Sequence, residues 1–166
     1  ASSIAIGSED HINLPFGNGV ERMLYNKTPG ALLSNLNLNV HTRGHICRAA
    51  LEGIAFSFAY GMEIMQQDAL TLDVVRAGND NLFRSDIFSQ TVATLIGKPI
   101  EIYNTTGAIG AARAAGIENK SINDYSQSVA SMDFVSEVLP IKEKQAYIEA
   151  YHKWKQELTR ALNNLN

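Results

Sequence analysis

An α/β fold is predicted for this chain, and three observations predict it. Two short apolar runs, Leu72 to Ala77 and Ile100 to Tyr103, are each followed by a turn rich in Gly, Asn or Thr and then by a helical pattern. Strands that alternate with helices in this way pair in parallel through right-handed crossovers. A longer helical periodicity from Thr42 to about Gln67 supplies the helix to pack against them. Ligands in such sheets sit at the carboxyl ends of the strands, where Gly78 and Thr105 fall. Glycine lets a ligand approach the backbone closely, and a helix start offers unpaired N–H groups to an anion. The stretch from Leu72 to Gly116 therefore reads as a nucleotide site.

Composition narrows the class. The 166 residues, 45% of them apolar, suffice for one core, as a single domain or part of a larger one. A net charge of −3 without a lysine or arginine run argues against nucleic acid and anionic membranes as partners. The single cysteine, Cys47, excludes an intramolecular disulfide and fits a reducing compartment. No apolar run approaches the ~20 residues that span a bilayer, and the start lacks a basic segment ahead of an apolar one. A cytoplasmic protein is expected.

In order, residues 1–41 form a loop-rich opening, 42–118 the core, and 119–166 a linker with a terminal helix. The opening segment has turn formers at Ser2-Ser3 and Gly7-Ser8-Glu9-Asp10, and Leu14-Pro15-Phe16-Gly17-Asn18-Gly19 sets a proline and two glycines around one aromatic. It reads as ordered loop without strand or helix, either a naturally irregular terminus or the start of a piece cut from something longer. In the helix from Thr42, Ile46, Ala50, Ile54, Phe58, Met62 and Met65 make an apolar stripe that Cys47 and Leu51 widen, so Cys47 reads as a packed thiol. Arg48 and Glu52, four apart, are spaced to pair. Gly44, Gly53 and Gly61 each cost a helix about 1 kcal/mol relative to alanine, which points to close packing. His41 and His45 share the spacing of two zinc ligands, but no third ligand is evident and Arg43 lies between them, so solvent-facing histidines are expected.

Next, Leu72, Val74 and Val75 mark a strand ended by Gly78, with Asn79, Asp80 and Asn81 as turn formers. Ser85 is placed as the N-cap of a helix whose buried face is Ile87, Phe88, Thr91, Val92, Leu95 and Ile96, closed by Gly97. Pro99 starts the second strand. The amides of Asn79 and Asn81 suit a ribose, an adenine edge or a phosphate oxygen. The helix from Gly107 to Gly116 is built of small residues, which fits either a close-packed pivot between lobes or a packed core helix. In the tail, Lys120 to Ser128 reads as linker and Pro140 as the start of a helix with Ile141, Ile148, Tyr151, Leu158 and Leu162 in one stripe and Trp154 beside it. It is expected to pack on the lobe, with docking to a partner as the weaker reading. No Gly-Lys phosphate loop, dinucleotide fingerprint or serine elbow is present, and no carboxylates are spaced for acid–base or Mg²⁺ work. The chain looks like a nucleotide-binding half without its catalytic half.

Several motifs resemble the FGGY carbohydrate kinases. Arg48-Ala49-Ala50-Leu51-Glu52-Gly53-Ile54-Ala55-Phe56 is similar to that family's R-A-x-x-E-G-I-A-F helix. Ala77-Gly78, then Phe83-Arg84-Ser85, Phe88 and Gln90, resemble its adenosine motif, and Gly107-Ala108-Ile109-Gly110-Ala111-Ala112 its terminal G-A-[LI]-G-A-A. Pro15-Phe16-Gly17-Asn18-Gly19-Val20-Glu21-Arg22 is similar to its P-[YF]-x-x-G-E-R loop. The likeness runs from Leu14 to about Gly116, and the xylulose kinases are most similar, through Arg76-Ala77-Gly78-Asn79, Asn81 and Tyr60-Gly61. This chain departs from the pattern in having one glycine of three, about two extra positions before Arg84-Ser85, Phe88 for tryptophan, Thr94 for aspartate after Ala93, and no acidic residue among Asn104, Thr105 and Thr106.

The resemblance implies the C-terminal lobe, in part, of an actin-like ATPase (ribonuclease H-like) fold, with a mixed sheet and packed helices. It implies ATP as cofactor, Mg²⁺ held by ligands outside this chain, and phosphoryl transfer to a sugar hydroxyl. D-xylulose is the expected substrate, and ribulose, rhamnulose or glycerol, or a lobe without chemistry, are the alternatives. The implied partners are ATP, the sugar and the N-terminal lobe of the same kinase, and a homodimer stays open. No catalytic or metal-binding residue is expected here. Gly78 is expected to give backbone access to the ribose and α-phosphate, and Asn79 and Asn81 to hydrogen-bond the nucleoside. Ser85 is divided between the nucleotide and the helix cap, and Arg84 reads as solvated.

Overall fold

The computed structural model describes residues 1–18, 22–67, 74–116 and 133–165. Strands β1 (Ile12–Phe16) and β2 (Gly30–Ser34) form an antiparallel pair, Leu14 opposite Leu32. Helix α1 (Arg43–Gln67) follows, then β3 (Val75–Gly78), α2 (Asp86–Ile96), β4 (Ile100–Tyr103), α3 (Gly107–Ala115), β5 (Phe134–Val138) and α4 (Gln145–Asn163). The second sheet has the order β3-β4-β5, with β3 and β4 parallel and β5 antiparallel to β4. The expected parallel pair and mixed sheet are both present. No described helix is long and apolar enough to cross a membrane.

Among the described residues two clusters make the core, and α1 serves both. Leu14 and Phe16 of β1, Phe56 and Ala59 of α1, and Tyr151, Trp154 and Leu158 of α4 form the first. Ala55 of α1, Phe88, Val92 and Ala93 of α2, and Ile100 and Ile102 of β4 form the second. Contact between α1 and β1 is made possible at Gly53. A Cβ there would lie 2.3 Å from the carbonyl oxygen of Asn13, well inside van der Waals distance. The same oxygen accepts the indole N–H of Trp154 at 2.9 Å.

The most buried face of α1 differs from the expected stripe. It carries His45, Arg48, Ala49, Glu52, Gly53, Ala55, Phe56 and Ala59, whereas Phe58, Met65 and Cys47 are exposed. Small residues outrank large apolar ones here because they admit β1, and the charged pair is buried because it is fully used. Arg48 Nε donates to Glu52 at 2.7 Å and its Nη1 to the Ile4 carbonyl at 2.7 Å. Glu52 also accepts the Gly7 N–H at 3.1 Å and the Ser8 hydroxyl at 3.4 Å. Hydrogen bonding on every side is what makes a buried ion pair tolerable.

The opening segment also departs from its loop reading. It holds β1 and β2, of which β1 was hidden by Pro15, a residue that strands accept where one edge is unpaired, and β1 pairs only with β2 among the described residues. Residues Gly7 to Asp10 all have positive φ, a run that Glu52 holds from the helix side. Nor do the two histidines face solvent: His41 and His45 are buried, and His41 stacks on His11. His41 Nδ1 accepts the Asn37 N–H at 3.0 Å and its Nε2 donates to the Glu9 carbonyl at 3.2 Å. His45 Nδ1 accepts the Thr42 N–H at 3.0 Å. Both rings are spent on this clasp, and no described group of three or more His, Cys, Asp or Glu side chains is arranged to hold a metal.

In the tail, the 120–128 linker lies outside the described residues. Strand β5 went unread because four of its five residues are exposed and it is an edge strand. Helix α4 starts at Gln145 rather than at Pro140. Residues 139–141 are instead strapped across α2, with the Leu139 carbonyl taking Gln90 Nε2 at 2.8 Å and the Ile141 N–H donating to Thr94 Oγ1 at 3.3 Å. The buried face of α4 is Tyr147, Ala150, Tyr151, Trp154 and Leu158, while Ile148 and Ile141 are exposed. It packs on the lobe, as expected.

Two outcomes follow from the α1 contacts. Gly53→Ala gains about 1 kcal/mol in helix propensity, yet a backbone clash at the upper end of the ~1–3 kcal/mol that overpacking costs is expected to leave the variant destabilised by a net ~1–2 kcal/mol in urea unfolding; stability at or above wild type would refute the close approach. Burial raises the Glu52 carboxyl from its ordinary 4.5, against the opposing pull of Arg48. A raised carboxyl binds its proton more tightly when folded, so its contribution is complete below the ordinary value and lost as the pH rises through the folded one. Stability relative to a Glu52→Gln variant should therefore fall as the pH is raised from the ordinary 4.5 toward neutrality. Urea midpoints across that range test this, and a difference that grows with pH would mean that Arg48 dominates.

Candidate functional site

The candidate site is the carboxyl edge of the parallel pair β3–β4. Register puts Gly78 beside Tyr103, so both strands end at one level. The Tyr103 carbonyl then organises both exits, accepting the Asn79 N–H at 2.7 Å and the Thr105 N–H at 2.8 Å. Sequence reading did not single out this residue, because a backbone carbonyl leaves no signature in side-chain type.

Gly78 has a structural reason to be glycine. A Cβ on it would stand 2.4 Å from the Thr105 carbonyl oxygen, so its bare backbone admits the neighbouring turn. Asn79 follows as an exposed residue, and Asp80 N–H closes a tight turn on the Gly78 carbonyl at 2.8 Å. Asn81 opens a one-turn 3-10 helix (Asn81–Arg84) at φ 46°, a left-handed conformation that asparagine tolerates better than most residues. Neither side-chain amide hydrogen-bonds another described residue.

Ser85 stands at the N-cap of α2 as expected, yet its hydroxyl makes no capping hydrogen bond. The loop is held instead by Ser89, whose hydroxyl donates to the Phe83 carbonyl at 3.0 Å. Beneath it Phe58, Phe83 and Phe88 meet edge to face, with centroids 5.2 to 6.3 Å apart. Phe88 is fully buried and has the aromatic packing role expected of it, and Arg84 is exposed. Gly78, Asn79, Asn81 and Ser85 thus share one continuous β3–α2 connection with its polar side chains unspent.

On the β3–β4 pair, Arg76 Nε and the Tyr103 hydroxyl both donate to Glu101 Oε2, at 2.9 and 2.5 Å. The Tyr103 bond, with Arg76 second, holds the Glu101 carboxyl below its ordinary value, and the same bond pushes the Tyr103 hydroxyl up. Neither group is disposed to exchange protons near neutrality. Helix α3 starts at the same edge, Thr106 Oγ1 accepting the Ile109 N–H at 3.3 Å. None of its residues is buried, and Gly107 and Gly110 face open space, which removes the packed-core reading of its small residues. Arg113 in its last turn ion-pairs with Asp133, whose carbonyl accepts the Asn104 N–H at 2.7 Å. Asp133 adjoins the stretch read as linker and was not singled out.

Chemically, this edge offers neutral hydrogen-bonding groups and accessible backbone, which suits recognition rather than bond making. Comparison with known proteins agrees on the architecture. Residues 13–118 match the model of the FGGY family of carbohydrate kinases, C-terminal domain. A glycerol kinase of Pseudothermotoga lettingae is 32% identical over 124 residues, 73% of this chain and 25% of that protein. A glycerol kinase of Solidesulfovibrio magneticus is 40% identical over 79 residues, 46% of this chain and 16% of that protein. Among solved structures, the xylulose kinase of Rhodospirillum rubrum superposes with a TM-score of 0.75 at 20% identity, covering 96% of this chain and 32% of that one. The Plasmodium falciparum glycerol kinase with ADP gives a TM-score of 0.74 at 19% identity, covering 93% and 31%. These place the fold among the actin-like ATPases, and the chain spans about a quarter of the length of the first of those glycerol kinases. On the match of residues 13–118, this chain belongs to the FGGY family of carbohydrate kinases, in its C-terminal domain.

Proposed function

We propose that the full-length protein is an ATP-dependent kinase that transfers the γ-phosphate of ATP to a hydroxyl of a small sugar or polyol, and that this chain is its nucleotide-binding lobe. The observation that carries the reading is the β3–α2 connection, where the Asn79 and Asn81 amides and the Ser85 hydroxyl have no hydrogen-bond partner among the described residues at the carboxyl edge of parallel strands. ATP, when bound, supplies the phosphoryl group. The backbone at Gly78 would approach the ribose and α-phosphate, the two asparagines would bind the nucleoside, and Ser85, free of capping, would add a hydrogen bond. In this reading the Mg²⁺ ligands and the catalytic base lie in the rest of the protein, as the family resemblance implies. Phosphoryl transfer depends on alignment and electrostatic stabilisation that this lobe supplies only in part. A cytoplasmic setting and an N-terminal lobe closing over the nucleotide complete the proposal.

For the acceptor, D-xylulose giving D-xylulose 5-phosphate is the reading of the Arg76-Ala77-Gly78-Asn79 and Asn81 resemblance. Glycerol is favoured by the names of the curated relatives. Assaying the full-length protein with ATP and D-xylulose, glycerol, D-ribulose and L-rhamnulose decides between them. Absence of turnover on every ketose and polyol would sink the kinase reading and leave a non-catalytic lobe. This chain alone is expected to be inactive, and sugar phosphorylation by it would show that the catalytic groups have been misplaced.

The nucleotide role has its own test. Gly78→Ala is a poor probe, because the clash with Thr105 perturbs folding as well. Asn79→Ala removes only an exposed amide, and Asn81→Gly keeps the left-handed conformation while removing the side chain. Each is expected to raise the KM for ATP about threefold to tenfold, one hydrogen bond's worth, with the KM for the acceptor little changed. An unaltered ATP KM in both would remove them from the site.

A further inference from the structure

Helix α3 begins at the proposed nucleotide edge but is not placed there by burial, since none of its residues is buried. A helix without an apolar seat needs polar tethers to fix its direction. Residue 133 supplies two. The Asp133 carbonyl takes the N–H of Asn104, at the start of the β4–α3 turn, at 2.7 Å. Its carboxylate pairs with Arg113 in the last turn of α3, the side chains being 34% and 16% exposed for Arg113 and Asp133. That pair is sheltered enough to hold a direction, and a cation in the last helical turn also opposes the helix dipole favourably. The turn between the two tethers contains Thr105, whose carbonyl lies against Gly78, and Thr106, which caps α3.

We propose that the Arg113–Asp133 ion pair is a positioning latch: by fixing the direction of α3 it sets the Thr105–Thr106 turn against Gly78 and so shapes the nucleotide site, an inference that rests on the nucleotide-binding reading above. Neither side chain touches the reacting atoms. Asp133 acts through the helix, and its backbone bond to Asn104 survives side-chain truncation, so the two tethers are separable.

The test uses the full-length protein and the variants Arg113→Ala, Asp133→Ala and their double, assayed with ATP and the acceptor that the wild type turns over. Each single change is expected to raise the KM for ATP about twofold to fivefold, with kcat and the acceptor KM within about 1.5-fold. The double variant should be no worse than Arg113→Ala, because with Arg113 gone the Asp133 carboxylate has no pair left to lose. Hydrogen exchange gives a readout independent of turnover: amides of α3 should exchange faster in all three variants, while those of α2 are unchanged. An unaltered ATP KM in the singles, effects that multiply in the double, or unchanged protection of α3 would overturn the latch. A wild type that phosphorylates nothing would defeat the kinase reading instead, and the exchange measurement would still decide whether the pair holds α3.

Discussion

The Asn13 carbonyl is the point at which three elements meet. It lies against the bare backbone of Gly53 on α1 and accepts the indole N–H of Trp154 on α4 at 2.9 Å. A buried carbonyl must be paired, and a strand can come this close to a helix only where the helix lacks a Cβ. Both conditions are met by single residues at one place. Around it, Phe56, Tyr151 and Trp154 form aromatic contacts with centroids 5.7 to 6.1 Å apart, and Trp154 is 1% exposed. Burying such side chains contributes ~1.5–3 kcal/mol each by area, so this is where the lobe gains much of its stability.

Fixing α1 against β1 fixes the site at one remove. The opposite side of α1 presents Ala55 to α2 and Phe58 to the aromatic trio beneath the β3–α2 connection. The alanine allows close helix approach, while the Phe58 ring meets Phe83 and Phe88 at near right angles and braces the loop from below. Charge pairing extends the same logic toward the opening segment, where Arg48 and Glu52 tie Ile4, Gly7 and Ser8 to the helix. Breaking either partner would strand a charge in the interior, a far larger loss than the pair itself is worth.

Reading the sequence succeeded where a pattern is local. Alternation at Ile100 to Tyr103 and the Gly97 helix end are short-range signals, and the Arg48–Glu52 pair follows from spacing alone. It failed where tertiary contact overrides composition. On α1, helical periodicity favoured Ile46, Phe58 and Met65, yet the face that turns inward holds alanines, a glycine and an ion pair, because β1 needs room rather than bulk. Trp154 was set beside the α4 stripe but is its most buried member. Pro15 concealed β1, and the exposure of β5 removed the alternation that marks a strand. At the carboxyl edge the end of β3 at Gly78 and the start of α2 at Ser85 were legible from type and position. The carbonyls of Tyr103 and Thr105 that shape it were not, since every residue carries one.

The two ends of the lobe are held by different physics, and that difference bears on what the site can do. Near Asn13 the elements are over-determined by apolar burial, aromatic contact and a buried ion pair. At the carboxyl edge the turns rest on backbone hydrogen bonds from Asn79, Thr105 and Asn104, and α3 has no buried residue. Segments with few buried contacts open at a lower free energy than the core, and ligand-binding loops are drawn from that end of the scale. A ligand that orders this edge gives up part of its binding energy in doing so, so every tether present beforehand strengthens binding without touching the ligand. The Phe83–Phe88 packing below and the Asp133 bonds at the side therefore matter to the candidate site in the same way: they lower its ordering cost before anything binds.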